Sequence, residues 1–272
     1  MSLKVIRQLG IGGSSEIYLV TDDKDNKYVI KIIKNEHKNE GINEKNILEY
    51  LPPICRKYSV SIHSSKLENE NIVLIMDYKP GTIELYNYLE NNFNQLNKFN
   101  RLVIMKNLIY GLSILHSCGV VHRDINPLNI LLNPNTLDIY YIDFGLACLK
   151  DSQEDLKWSE STTAYMAPEL FKDNIRDWNS NKAADIWALG LTFIDIAFFN
   201  IYKGEFYPYD YVETPKRIKK YNNKDIDKLL EKIPSTEENT FFIKLIRPML
   251  EINWRKRSTA QKILGDVEKI VI

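Results

Sequence analysis

Residues 121–129 read Val121-His122-Arg123-Asp124-Ile125-Asn126-Pro127-Leu128-Asn129 and run into the apolar triplet Ile130-Leu131-Leu132. The pattern predicts a short polar loop entering a buried strand. Asp124 and Asn129 stand five positions apart, with Pro127 between them to stiffen the turn. A carboxylate that accepts a proton and an amide oxygen that holds a cation can thereby face one cleft. Such a loop gains its meaning from the segments on either side of it.

The flanks supply several further elements. Upstream, Leu3–Ile6, Glu16–Val20 and Tyr28–Ile33 are predicted strands, with Gly10-Ile11-Gly12-Gly13-Ser14-Ser15 between the first two. Such a glycine stretch lets backbone N–H groups approach phosphates closely, and it also suits an ordinary hairpin. Lys31 sits in an otherwise apolar strand, where a lone ammonium is costly and needs an opposite charge. Asn43–Leu51 is predicted as an amphipathic helix ended by Pro52-Pro53, with Glu44, Leu48 and Leu51 on one face. Glu44, Glu40 and Glu49 are all possible partners of Lys31. Two more strands, Tyr58–Lys66 and Asn71–Met76, precede the turn Asp77-Tyr78-Lys79-Pro80-Gly81.

Downstream, the chain reads as mostly helical. Leu102, Met105, Ile109 and Leu112 form an apolar stripe leading to His116, a structural residue at the helix end. Ile139–Ile142 is a predicted strand, followed at once by Asp143-Phe144-Gly145. Ser161-Thr162-Thr163-Ala164-Tyr165-Met166-Ala167-Pro168-Glu169 closes a polar stretch. Asp185-Ile186-Trp187-Ala188-Leu189-Gly190 opens an apolar helix over 181–199. The apolar run 186–199 is short for a membrane span and carries Asp195, so it reads as a buried helix.

Taken in order, these landmarks resemble the protein kinase family. Val121–Asn129 resembles the H-R-D-x-x-x-x-N loop, and Asp143-Phe144-Gly145 the D-F-G element. Ala167-Pro168-Glu169 resembles the A-P-E ending, and Asp185–Gly190 the D-x-W-x-x-G helix. Gly10, Gly12 and Ile17 match G-x-G-x-x-G-x-V, with Ser15 in place of the third glycine. The resemblance runs from Gly10 to Arg257. It implies an α+β, bilobal fold in one catalytic domain over 1–272. A five-stranded antiparallel lobe with one helix covers 1–76, a hinge covers 77–81, and a mainly helical lobe covers 82–272. No room for a regulatory domain is expected within the chain.

The resemblance also implies roles. Transfer of the ATP γ-phosphoryl to a protein hydroxyl is expected, with Mg²⁺. Lys31, paired in the family register with Glu44, grips phosphates; Asp124 accepts the hydroxyl proton; Asn129 and Asp143 hold the metal. Gly10, Gly12, Gly13, Ser15, Ile17, Val29, Met76, Asp77, Lys79 and Leu131 surround the nucleotide. Met76 stands at the back of the adenine pocket, and backbone groups of Asp77 and Lys79 meet the adenine edge. Glu84 either bonds the ribose or is a solvated helix start. Asp185 binds the backbone of the loop at 121–129, and Arg257 pairs with Glu169.

Departures from the family pattern are few. Asn126 replaces the usual lysine that contacts the γ-phosphate, and so brings hydrogen bonds but no charge. Thr162 and the Tyr165–Glu169 ending imply serine or threonine acceptors. Leu128 replaces the glutamate of many arginine-directed kinases. Arg123 is expected to meet either a phosphate at Ser159 or Ser161, or the standing charge of Glu160. A nucleotide-binding scaffold without turnover and a small-molecule kinase of related fold are the alternatives.

Bulk properties set the frame. The 272 residues are 44% hydrophobic with a formal net charge of zero, and the pI is about 6.9. No charge asymmetry asks for nucleic acid or an anionic membrane as partner. A protein substrate is the expected partner, and the chain is expected to be a monomer. Three cysteines without C-x-x-C spacing suggest reduced thiols and an intracellular setting, cytoplasmic or nuclear.

Overall fold

The computed structural model describes residues 2–152, 163–171, 177–202 and 220–271. Five strands form an antiparallel sheet: β1 (Lys4–Ile11), β2 (Ser15–Thr21), β3 (Lys27–Ile33), β4 (Ile62–Glu68) and β5 (Asn71–Asp77). Their order is β1-β2-β3-β5-β4, which puts β3 at the centre. Register then decides which side chains share a face. Ile17 lies opposite Lys31, which lies opposite Leu74; Val29 lies opposite Leu19 and Met76. Paired residues and their i±2 neighbours point the same way. Ile17, Val29, Lys31 and Met76 therefore line a single face.

The helix α1 (Lys38–Tyr50) packs against β5 and β4, burying Gly41, Glu44, Ile47 and Leu48. It begins five residues before the predicted start at Asn43, because the polar stretch 38–42 continues the helix. Gly41 fits there for a packing reason. A methyl group on it would come within 3.0–3.2 Å of Ile33 and Ile72. The short α2 (Pro53–Arg56) follows, with Pro53 in its first turn.

Two strand expectations shift. β1 continues through Gly10 to Ile11 instead of ending at Ile6. β4 begins at Ile62 instead of Tyr58, because Tyr58–Val60 pair elsewhere. The Tyr58 carbonyl accepts from the Tyr141 N–H at 2.8 Å, and the Val60 N–H donates to the Tyr141 carbonyl at 3.2 Å. These bonds tie the sheet's connection to the strand leading into Asp143.

After the turn at 78–82, the chain makes β6 (Ile83–Glu84), α3 (Leu85–Asn92) and α4 (Lys98–Ser117). Asn97 caps α4 by accepting from the Asn100 N–H at 2.8 Å. The strands β7 (Val120–Val121), β8 (Ile130–Leu132), β9 (Ile139–Tyr141) and β10 (Cys148–Leu149) frame the loop at 122–129. They form a three-stranded sheet β6-β8-β9 and a pair β10-β7. This part of the chain is thus less purely helical than expected. Glu84 lies in β6 opposite Leu131 and immediately precedes α3.

The helices α5 (Trp178–Tyr202), α6 (Asn223–Leu230), α7 (Glu237–Ile246) and α8 (Ala260–Val271) complete the described chain. By length and composition, 178–201 would pass for a membrane span, longer than the sequence reading allowed. Its most apolar window is 89% buried inside the protein, which is what a helix apolar on all sides needs in water. Asp195 within it is buried and accepts from the Tyr165 hydroxyl at 2.7 Å.

Burial raises the Asp195 carboxyl to about 7, although the Tyr165 bond pulls it down. The folded protein therefore keeps this proton at pH values where the unfolded chain has released it. Stability from this site falls as pH rises from about 4 through 7, by roughly 1.4 kcal/mol per unit at most. Asp195→Asn keeps an acceptor for Tyr165 and removes the titration. The wild type is expected to lose on the order of 3 kcal/mol between pH 5 and 8 relative to this variant. Urea unfolding at both pH values measures it, and parallel pH dependence in the two proteins contradicts it.

Candidate active site

The loop at 122–129 is tied to α5 and to the chain just after β9. Asp185, in the first turns of α5, accepts from the backbone N–H of His122 at 2.9 Å and of Arg123 at 2.8 Å. It also accepts from His116 Nε2 at 2.9 Å. His116 thus ties the end of α4 to α5 and lies outside the reacting centre. Arg123 takes a left-handed backbone (φ 69°), as does Asp143 (φ 63°). Non-glycine residues in this region are uncommon and gather where surrounding bonds over-determine them.

His122 is fully buried, and burial lowers its imidazole below the usual range, against the pull of Asp185. A neutral ring has one donor and one acceptor nitrogen. Nε2 lies 3.0 Å from the Ile142 carbonyl, so it carries the hydrogen; Nδ1 accepts from the Asp124 N–H at 3.3 Å. One ring therefore spaces Asp124 from the strand end before Asp143.

Asp124 and Asn129 meet as the spacing predicts. Asn129 Nδ2 donates to Asp124 Oδ2 at 2.6 Å and to the Asp124 carbonyl at 2.9 Å. The Pro127–Asn129 3₁₀ turn supplies the geometry, with proline in its first position. Asn126 caps this turn. Its Oδ1 accepts from the N–H groups of Leu128 and Asn129, and its Nδ2 donates to Asp124 O at 3.2 Å and Oδ1 at 3.3 Å. The side chain is only 2% exposed. Asn126 thereby braces the carboxylate of Asp124.

Across the cleft, Lys31 Nζ lies 2.7 Å from Glu44 Oε2 and 3.1 Å from Asp143 Oδ1. Glu40 and Glu49 make other bonds, to His37 and Lys45. Burial alone would lower the Lys31 ammonium, but the Asp143 and Glu44 charges raise it above its usual value. Asp143 moves the other way: burial pushes it up, and the charge and hydrogen bond of Lys31 bring it below the carboxylate range. Burial keeps Glu44 above that range despite Lys31. The cleft therefore holds a fixed cation beside an ionised carboxylate.

The Asp143 side chain is 42% exposed, against 7% for Lys31, so Asp143 has oxygen facing open space. Phe144 is fully buried, its ring 4.8 Å from that of His122. Among the described residues, no cluster of three His, Cys, Asp or Glu could cage a cation. Asp143 and the amide oxygen of Asn129 fit a small hard ion that keeps waters and shares phosphate oxygens.

The glycine stretch Gly10–Ser15 spans the turn from β1 to β2. The Gly12 N–H donates to the Ser15 carbonyl at 2.8 Å, and Lys34 Nζ holds the Gly13 carbonyl at 2.9 Å. Gly10, Gly12 and Gly13 all avoid the left-handed region, and a methyl group on Gly10 or Gly13 would meet no atom within 4 Å. Their value is the open space that a side chain would fill. Ser15 is buried within β2.

Of the remaining expected nucleotide residues, Leu131 lies between fully buried Ile130 and Leu132 in β8, itself half-buried and facing the other way. At the turn, Asp77 N–H donates to the Ser61 carbonyl at 2.9 Å, and the Lys79 carbonyl accepts from the Thr82 hydroxyl at 2.8 Å. Lys79 Nζ lies 4.6 Å from the centre of the Tyr140 ring. Glu84 accepts from Asn87 Nδ2 at 2.8 Å, and burial raises its carboxyl. Thr162, Ser159, Glu160 and Ser161 lie outside the described residues.

One residue had no motif to point to it. Asn43, beside Glu44, donates through Nδ2 to the carbonyls of Gly145 at 2.9 Å and Ala147 at 2.8 Å. Only its place one step before Glu44 on the helix could have drawn notice.

Comparison with known proteins agrees with this geometry. The family model described as "Protein kinase domain" matches residues 3–267. The serine/threonine-protein kinase ksp1 of Schizosaccharomyces pombe is 30% identical over 246 residues, covering 88% of this chain and 49% of that protein. The serine/threonine-protein kinase ppk34 of the same yeast is 30% identical over 219 residues, covering 74% and 57%. The dual specificity protein kinase Ttk of Danio rerio is 28% identical over 208 residues, covering 68% and 20%. The chain thus spans about half the length, or less, of two of these relatives and 57% of the third. With the family model over nearly the whole chain and Lys31 paired with Glu44 and Asp143, this chain belongs to the protein kinase family.

Proposed function

We propose that this kinase domain transfers the γ-phosphoryl group of Mg-ATP to serine or threonine hydroxyls of a protein substrate. The observation that carries the reading is the closed Lys31–Glu44 pair with Asp143 at 3.1 Å, facing an Asp124 already braced by Asn129. A misassembled site would leave Lys31 without one of these carboxylates.

Each residue then has a physical role. Lys31 offers a permanent positive charge to the nucleotide phosphates, in a site where burial strengthens it. Backbone at Gly10–Gly13 leaves room for those phosphates. The Lys79 N–H makes no bond to the described residues, which supports its role as a donor to a ring nitrogen of the base. Asp143 and Asn129 would hold the metal, which supplies charge neutralisation at the phosphates when bound. Asp124 orients the acceptor hydroxyl and takes its proton. Asn126 fixes Asp124 without adding charge, so the electrostatic share falls on Lys31 and the metal. That same lack of charge is what favours the second reading, a scaffold that binds nucleotide without turnover.

Incubation with radiolabelled ATP, Mg²⁺ and generic protein substrates, followed by phosphoamino-acid analysis, tests the proposal. Phosphoserine or phosphothreonine is the expected product. Dominant phosphotyrosine rejects the acceptor assignment, and nucleotide binding with no transfer to any substrate favours the scaffold.

A further inference from the structure

Asn43 reaches from α1 to the backbone that carries Asp143. Its Nδ2 lies 3.4 Å from the carbonyl of Phe144, 2.9 Å from that of Gly145 and 2.8 Å from that of Ala147. An amide nitrogen has two hydrogens, so the two short contacts are full bonds and the third is shared. The Phe144 carbonyl also accepts from the Ala147 N–H at 3.1 Å. The carbonyls of Gly145 and Ala147 have no other donor among the described residues.

The segment needs such a clamp. Asp143 is held in the left-handed region, and its carboxylate already bends back to accept from the Gly145 N–H at 3.3 Å. The helix also lies close: a methyl group on Gly145 would stand 3.5 Å from the Glu40 side chain. Glu44 joins α1 to Asp143 through a side-chain relay across Lys31. Asn43, one residue earlier, joins the same helix to the same segment through backbone carbonyls alone. We propose that Asn43 is a positioning residue that locks the Asp143–Ala147 backbone to α1, so that the helix and the metal-binding carboxylate move as one body. The consequence for metal binding rests on the kinase reading above; the mechanical lock does not.

Two variants test it. Asn43→Leu removes the donor while keeping the branching pattern, and Asn43→Asp places a carboxylate against three carbonyls. Hydrogen-exchange mass spectrometry is expected to show the amides of 144–150 exchanging at least about tenfold faster in both variants, with those of α4 unchanged. Unchanged protection over 144–150 overturns the lock. Equal loss of protection in α4 also overturns it, because Asn43 then only supports the fold.

A second readout is the affinity for a fluorescent ADP analogue with and without Mg²⁺. In Asn43→Asp, the gain in affinity that Mg²⁺ confers on the wild type should fall at least about fivefold, while metal-free affinity stays within about twofold. Retention of the full gain overturns the link to the metal. If the wild type itself shows no gain, the kinase reading fails, and the exchange measurement still decides on Asn43.

Discussion

Lys31→Met is expected to lower the proposed phosphoryl transfer by at least about 10²–10³-fold, equivalent to roughly 3–4 kcal/mol of barrier. Methionine keeps most of the length of the side chain and removes its charge. Glu44, 2% exposed, then loses its partner and faces Asp143 across the gap. Glu44 escapes most of the cost of a bare buried charge by taking up a proton, since burial already raises its carboxyl. Some stability is still lost, so activity must be judged beside a melting curve. The double variant Lys31→Met/Glu44→Gln recovers that stability and stays inactive. Asp143→Asn gives the complementary case: it preserves shape and the Lys31–Glu44 pair but removes a charged oxygen that faces the cleft. Turnover within about twofold of wild type in either single variant would falsify the catalytic assignment.

The largest loss of stability is expected at Arg257→Met. The guanidinium is fully buried and makes a two-pronged contact with Glu169, Nη1 to Oε1 at 2.6 Å and Nη2 to Oε2 at 2.9 Å. It also donates to the carbonyls of Ala183 at 2.6 Å and Glu251 at 2.9 Å, and lies 5.1 Å from the centre of the Trp187 ring. Four of its donor contacts thus join the Pro168–Phe171 turn, the start of α5 and the loop before α8. A methionine leaves Glu169, 9% exposed, without its charged partner and removes a donor from the carbonyls of Ala183 and Glu251. Breaking one side of a buried pair costs about 3–5 kcal/mol, a fall in Tm on the order of 10 °C for a chain of this size.

Removing both partners is different. Arg257→Met/Glu169→Met abolishes the stranded carboxylate and should lose clearly less than Arg257→Met alone. Arg257→Lys does not rescue, because an ammonium cannot match two carboxylate oxygens and two carbonyls at once. Calorimetry on the three variants decides the matter; a double variant as unstable as the single would show that the carbonyl contacts and packing carry the effect.

The candidate catalytic groups were legible in the chain because they stand in motifs that resemble those of the family. Asp124 and Asn129 meet through a five-residue turn stiffened by Pro127, and Asp143 follows directly from a strand that pairs with the one after Asn129. Lys31 announced itself as a charge in an apolar strand. Its partner was not decided by periodicity, since Glu40 and Glu49 were available on or near the same helix. Only packing of α1 on β5 and β4, with Gly41 against Ile33 and Ile72, turns Glu44 inward.

Strand limits failed where long-range bonds outcompeted local pattern. Tyr58–Val60 have the composition of a β4 extension but pair with Tyr141, more than eighty residues away. The roles of Asn126 and Asn43 were hidden for a related reason. An asparagine carries both a donor and an acceptor, and sequence does not say which atoms will lie within reach. By itself, the sequence showed the strands, helices and loop motifs whose order resembles the kinase family, and that resemblance implied the lobes and the charged groups of the cleft. The resemblance named Glu44 as the partner of Lys31, and the fold agrees; the tertiary structure alone decided that Asn126 turns toward Asp124 and that Asn43 grips the backbone after Asp143. Those choices rest on hydrogen-bond reach across the folded chain, which local sequence does not encode.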